Sequence, residues 1–225
     1  MIYLPVSLLL FVVFLLLLPF LWFSLALGVV QVAVAKLGFS PSVAALLLTA
    51  IVLGGMINIP LYKTESPVYL MDTFASFWLQ QFRGIPLRRM RRQTVIALNV
   101  GGGLIPLLVA LYQFTRVSPL LIVVVTAIVT IASYYAAQVV PGIGIQMNPL
   151  LAPLTAALSS MLLAGGTPNV IPAIAFAGGV LGTLIGADLL HLKEIQSKSA
   201  GVLSIGGAGV FDGIALCGLL ALLLT

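Results

Sequence analysis

The sequence predicts an all-α polytopic membrane protein of about seven transmembrane helices, N-terminus in and C-terminus out, and three observations carry that expectation. Apolar residues make up 61% of the 225 and charged residues only 7%, with a mean hydropathy of +1.24. A water-soluble domain does not reach that balance. The apolar runs are long and do not alternate, which fits helices and excludes a barrel of alternating strands. Most of the few charges fall between the runs, leaving the runs free to lie in hydrocarbon.

Seven such runs are bounded by charges, prolines and glycines, at roughly 5–36, 41–62, 94–114, 118–140, 147–164, 169–192 and 202–224. A crossing helix requires ~20 residues. The first run is overlong and holds Pro19 near its middle. One tilted or kinked helix is expected there, a split into two short segments being the alternative. It does not read as a signal peptide, because it lacks a basic flank and far exceeds an apolar core of about 7–15 residues. Ala33-Val34-Ala35 is therefore not taken as a cleavage site.

Orientation follows from basic residues. Lys63 with Arg83, Arg88, Arg89, Arg91 and Arg92 places the loop between the second and third runs in the cytoplasm. Lys193 and Lys198 do the same between the sixth and seventh, and only Lys36 and Arg116 fall on the other side. The expected location is the plasma membrane. The formal charge of +5 comes mainly from the arginine cluster, which beside spanning helices marks anionic headgroups as its partner rather than nucleic acid. Within the loop at 63–93, Ser66-Pro67 reads as an N-cap and first helical position. Leu70, Phe74, Phe77, Trp78 and Phe82 then recur at helical spacing, predicting an amphipathic helix at the cytoplasmic interface.

The single membrane domain, 1–225, reads as an internal duplication: a first repeat over 20–115, a linking span over 116–145 and a second repeat over 146–225. Ser40-Pro41-Ser42-Val43 with Leu53-Gly54-Gly55-Met56-Ile57 is answered by Thr167-Pro168-Asn169-Val170 with Leu181-Gly182-Thr183-Leu184-Ile185. Val100-Gly101-Gly102-Gly103 is answered by Ile205-Gly206-Gly207-Ala208. On that register the repeats run parallel, Pro60 stands opposite Asp188, and Pro106 stands next to the position opposite Asp212. Chemistry would then belong to the second half.

Those two aspartates are the candidate site. Of five acids, Glu65, Asp72 and Glu194 lie in charged connections, whereas Asp188 and Asp212 sit inside apolar stretches. A carboxylate at bilayer depth costs about 2.5–3.5 kcal/mol, and faces a protein interior or a water cavity. A short turn separates the two runs, so antiparallel neighbours would bring the acids together. Two carboxylates in contact at low dielectric share one proton, giving one acid and one base. Depth argues for a break in the helix. Were 202–212 helical, Asp212 would lie about 15 Å deep, against about 7 Å from Lys193 to Asp188. Gly206-Gly207-Ala208-Gly209 is a poor helix interior, so the chain is expected to stay extended or looped to about Val210. Gly206, Gly207, Gly209 and Gly213 would shape the site, and an extended edge there could pair with an unwound substrate.

Ala187-Asp188 near the cytoplasmic end of one run, a short turn, and Ala208-Gly209-Val210-Phe211-Asp212 opening the next together resemble the GxGD intramembrane aspartyl proteases. These are the presenilin, signal-peptide-peptidase and prepilin-peptidase group. The likeness covers about residues 181–220. It implies that Asp188 and Asp212 are the catalytic pair, that no metal is needed, and that a transmembrane peptide is the substrate. Val210-Phe211 intervenes before Asp212, and Ala187 stands where that group has tyrosine. Ala152-Pro153-Leu154 holds the residues of its Pro-Ala-Leu element in another order. Taken whole, the chain resembles an uncharacterised prokaryotic family of integral membrane proteins. The residues that carry this are Asn58-Ile59-Pro60-Leu61 and Gly206-Gly207-Ala208-Gly209-Val210-Phe211-Asp212-Gly213, and it implies no activity.

Other residues have plainer readings. His191, three residues after Asp188, either tunes the pair or is a solvated histidine at a helix end. Asp212 as a helix cap, and Asp188 paired with Lys193 or His191, are the structural alternatives. Cys217 stands alone and the chain has one histidine, so neither a disulfide, a zinc site nor a cofactor is expected. Cys217 is read as packing, Gly178, Gly179 and Gly182 as permitting close approach, and Asn58, Asn99, Gln138, Gln146 and Asn148 as inter-helix hydrogen bonding. Three functions compete: an intramembrane aspartyl protease, a proton-coupled transporter or channel, and a non-catalytic membrane scaffold.

Overall fold

Residues 6–68, 90–140, 144–198, 201–207 and 213–225 are described in the computed structural model of the chain. The first run is one unbroken helix, α1 (Val6–Lys36), with Pro19 inside it. The next, α2 (Pro41–Gly54), starts where the local chemistry asks: Ser40 Oγ accepts from Val43 N–H at 3.4 Å and Pro41 fills the first turn.

The second run does not continue as helix. It becomes strand β1 (Asn58–Val68), because Pro60 has no N–H to give and holds the preceding residue extended. The proline sits beside a bulge between Pro60 and Tyr62 on an edge strand, where strands tolerate it. Strand β2 (Met90–Asn99) returns antiparallel, from Val68 opposite Met90 to Asn58 opposite Asn99. Its β-branched Thr94-Val95-Ile96 suits a pleated surface, so the third run also opens as strand rather than helix. Ser66 and Pro67 pair with Arg92 and Arg91 within this hairpin, which corrects the expected helix start. Leu70, Phe74, Phe77, Trp78, Phe82, Arg83, Arg88 and Arg89 lie outside the described residues.

From Asn99 the chain passes through a π-helical segment (Val100–Leu104) into α3 (Ile105–Gln113) and then α4 (Pro119–Ala136). A small hairpin, β3 (Gln138–Val140) with β4 (Gly144–Gln146), leads to α5 (Leu151–Ala164). The sixth run is a 3-10 turn (Pro168–Val170), α6 (Ile171–Thr183) and a second π segment (Leu184–Leu189). Then come α7 (Leu192–Lys198), strand β5 (Gly201–Ile205) parallel to β2, and α8 (Gly213–Leu224). The seventh run is thus a strand and a short helix.

α6 is the axis of the bundle, with every residue from Pro172 to Thr183 buried. It and the π segment that follows pack on α4 through glycines: a Cβ on Gly178 or Gly182 of α6, or on Gly186 of the π segment, would strike Val125, Val129 or the Thr130 carbonyl. Gly179 meets Ala156 of α5 and Cys217 and Ala221 of α8. Between helices in hydrocarbon there is no hydrophobic gain from association, so close approach of small residues supplies the attraction. Gly178, Gly179 and Gly182 therefore act as the sequence predicts. Apolar side chains on α1 and α4, such as Phe20, Trp22, Leu120 and Ile131, are turned outward and exposed.

Among the described residues the protein is mostly helical, and three helices are long and apolar enough to cross a membrane: Leu10–Lys36, Pro119–Ala136 and Pro168–Leu189. Four further apolar helices, Pro41–Gly54, Val100–Gln113, Leu151–Ala164 and Ile214–Leu224, are shorter. Fourteen residues rise only about 21 Å. The bundle has two distinct ends. At one, the C-termini of α1 and α8 meet, Lys36 Nζ donating to the Leu222 carbonyl at 2.9 Å. At the other, the end of α2 abuts the start of the π segment before α3, Gly54 against Gly101, and the three-stranded sheet β1-β2-β5 begins.

Candidate functional site

Two glycine corners define the junction between bundle and sheet. At the first, Asn99 is buried and serves its own corner. Its Oδ1 accepts from Gly102 N–H at 2.8 Å, and its Nδ2 donates to the Gly55 carbonyl at 2.8 Å and to Asn58 Oδ1 at 3.2 Å. Asn58 Oδ1 also receives the Ser204 hydroxyl at 2.5 Å, tying the start of β1 to β5. The inter-helix hydrogen bonds expected of Asn58 and Asn99 are instead bonds between sheet and helix ends.

At the second corner, Gly206 turns with φ +75°, a conformation that side chains disfavour. A Cβ there would also lie 2.5 Å from Gly103 Cα, so the two corners stack backbone on backbone. The N–H of Gly206 donates to Asp188 Oδ2 at 3.0 Å. Asp188 is thus bound to the backbone of the other run, though only partly buried. Over its described part, residues 201–207, the expected extended stretch is β5 and the turn at Gly206. Gly207 packs against the Asn99 side chain and Gly213 opens α8. Gly209 and Asp212 lie outside the described residues.

Asp188 projects from the second π segment, where Leu190 N–H reaches the Ile185 carbonyl at 3.0 Å, one residue beyond the α pattern. His191 holds that segment. Its Nδ1 lies 3.1 Å from the carbonyls of both Gly186 and Ala187, and since carbonyls only accept, Nδ1 carries the proton. Its ring lies against Tyr134, with centroids 4.9 Å apart. His191 is buried, so the reading of a solvated histidine is corrected. Nor is this Nδ1 turned to the carboxylate.

Beside Asp188 lies a cleft of about 220 Å³, walled by Gly144, Ile145, Leu192, Ile195, Gly207 and the run Val202-Leu203-Ser204-Ile205. Side chains alternate across a strand, so four consecutive residues on one wall mean that the edge of β5 borders the cleft. In the sheet order β1-β2-β5 that edge is the outer one. Ser204 is the residue that sequence reasoning missed. The available signal was a hydroxyl in an apolar strand two residues before the glycine corner.

Arg91 and Arg92 lie in β2, and Lys193 is exposed on α7. Among the described residues no group of three or more His, Cys, Asp or Glu could hold a metal ion. Cys217 is buried in α8 against Gly179.

A family model described as "Protein of unknown function (DUF1614)" matches residues 52–224, a span that contains both corners and both aspartates. No curated protein and no solved structure matches the chain. Nothing in these comparisons supports the likeness to GxGD proteases.

Proposed function

The chain belongs to this family of unknown function, and on that premise we propose that it is an intramembrane aspartyl endopeptidase, with Asp188 and Asp212 as the paired carboxylates. The observation that carries the reading is Asp188 bound to Gly206 N–H inside a cleft walled by the outer edge of β5. A helical substrate must unwind before its carbonyl can be attacked. An unpaired strand edge offers backbone donors and acceptors that an extended segment can satisfy. Asp212, one residue before α8, supplies the second carboxylate. The ionised member of the pair takes a proton from water as that water attacks the carbonyl. The protonated member gives its proton to the departing amine.

We read all seven apolar segments as crossings, three made by single long helices and four by a short helix completed by strand or turn, N-terminus in. The hairpin that carries Arg91 and Arg92 then lies on the cytoplasmic side.

The test uses purified full-length chain in detergent with a library of synthetic single-span peptides, cleavage being followed by mass spectrometry. Asp188→Asn and Asp212→Asn are each expected to lower cleavage at least about a thousandfold while the melting transition stays in place. Undiminished cleavage in both variants would rule the pair out.

One feature favours a second reading, a proton-coupled transporter: the glycine turn at Gly206 abuts the π-helical segment at Gly103, and departures from regular α-helix of this kind occur at transporter binding sites. Substrate-dependent proton uptake into proteoliposomes, lost in Asp188→Asn, would favour it over proteolysis. Tolerance of both substitutions in every assay would leave a non-catalytic scaffold.

A further inference from the structure

We infer that the apolar groove between α1, α2, α3, α6 and α8 holds one acyl chain of an anionic phospholipid, whose phosphate is bound by Lys36 and Arg116. These two are the cations that charge asymmetry leaves on the side away from the arginine cluster. In the folded chain they converge. Lys36 Nζ rests on the Leu222 carbonyl. The guanidinium of Arg116 packs on Gly38, where a Cβ would lie 2.5 Å from one of its nitrogens. Both side chains are exposed. The described acids, Glu65, Asp188 and Glu194, belong to β1, the second π segment and α7, at the opposite end of the bundle. This rim therefore carries two cationic side chains and no acidic side chain among the described residues.

The groove opens at the same rim. It has a volume of about 150 Å³ and runs from Leu37 and Leu222 at the cationic end to Gly55 and Gly102 at the sheet end. Leu222, whose carbonyl holds Lys36, lines it. Its lining side chains are all apolar, and Val52 on its wall is 41% exposed, so it communicates with the outside. From Val109 to Gly102 and from Leu222 to Ala215 its depth is about 10 Å at 1.5 Å per residue. That is about a third of a 30 Å hydrocarbon core, the upper part of one chain below its headgroup.

Within a bilayer a groove alone does not select a lipid, because hydrocarbon is as apolar as leucine and the chain gains only packing. Selection comes from the rim. Arginine matches phosphate oxygens bidentately, and the lysine ammonium adds a point charge. A zwitterionic headgroup sets its own cation against the same rim and binds less well.

The experiment uses the full chain in neutral detergent, with bound lipid counted by native mass spectrometry and stability followed by thermal melting. Phosphatidylglycerol and phosphatidylcholine of identical acyl chains are compared. The expected preference for phosphatidylglycerol is about fivefold for each cation. It should fall stepwise in Lys36→Gln, which keeps a donor for the Leu222 carbonyl, and in Arg116→Gln, and vanish in the double variant. Val52→Trp, across the exposed wall, should weaken both lipids alike with the headgroup preference intact. Equal binding of the two lipids, or a preference surviving the double variant, overturns the assignment. So does an equal melting shift from inorganic phosphate alone, which would leave the groove without a role. None of these outcomes depends on whether the aspartates cleave peptides.

Discussion

The corner after β2 and the corner after β5 stack on each other, each at the end of a strand, yet their polar groups are satisfied from different sources. Asn99 serves the first: a neutral amide, buried, bonded to Gly102 N–H three residues on and, across the junction, to the Gly55 carbonyl and Asn58. The N–H of Gly206 in the second is met by Asp188, a carboxylate from the end of another helix, partly buried and lining a cleft. A neutral amide would serve that N–H equally well. Keeping a carboxylate at such depth costs free energy, and stability alone gives no reason for it. The first corner is therefore architecture, and the second is the one on which the proposed site rests.

The comparison is tested hardest by the stacked glycines. Gly206→Ala places a side chain at φ +75° and 2.5 Å from Gly103 Cα, so a loss of about 3 kcal/mol or more is expected. In Gly103→Ala the nearest atom is the flexible end of Leu98, at 2.9 Å, and the loss should be smaller. Thermal melts in one detergent compare the two, and equal melting points would mean that the corners do not bear on each other. Next in size is Asn99→Ala, which strands a buried N–H and a carbonyl together, expected at about 2–3 kcal/mol by denaturant titration of the detergent-solubilised chain. Ser204→Ala removes one hydroxyl bond to Asn58, which keeps its bond to Asn99, and should cost about 0.5–1 kcal/mol. Smallest is Asp188→Asn, within about 1 kcal/mol of the parent in either direction, because an amide oxygen still accepts from Gly206 N–H. A collapse of the fold in that variant would make Asp188 structural and erase the contrast between the corners.

Part of this junction is legible in the sequence. Gly206-Gly207 marked a break in the last run, and the chain there is strand and turn. In the second run the helix ends before Pro60, whereas the sequence reading carries that run through it to residue 62. The miss has a physical cause. Ile59, Leu61 and the run Val95-Ile96-Ala97-Leu98 extend the apolar character of the helices they adjoin, and a short apolar run does not by itself distinguish strand from helix. Ser66-Pro67 carries a helix-start pattern that strand pairing overrides, since β1 must satisfy its backbone against β2.

Composition and helical spacing by themselves determined the membrane class and the small-residue face of α6, because these depend on one segment's contact with hydrocarbon or on its own spacing; that the first run is one helix rather than two was decided by the structure. Only the tertiary structure decided that Asn99 and Asp188 serve neighbouring corners, that β5 presents an edge to the cleft, and that Lys36 and Arg116 share a rim. Each of those facts joins residues far apart in the chain, and what brings them together is the close fit of glycine backbones, which no local pattern of polarity records.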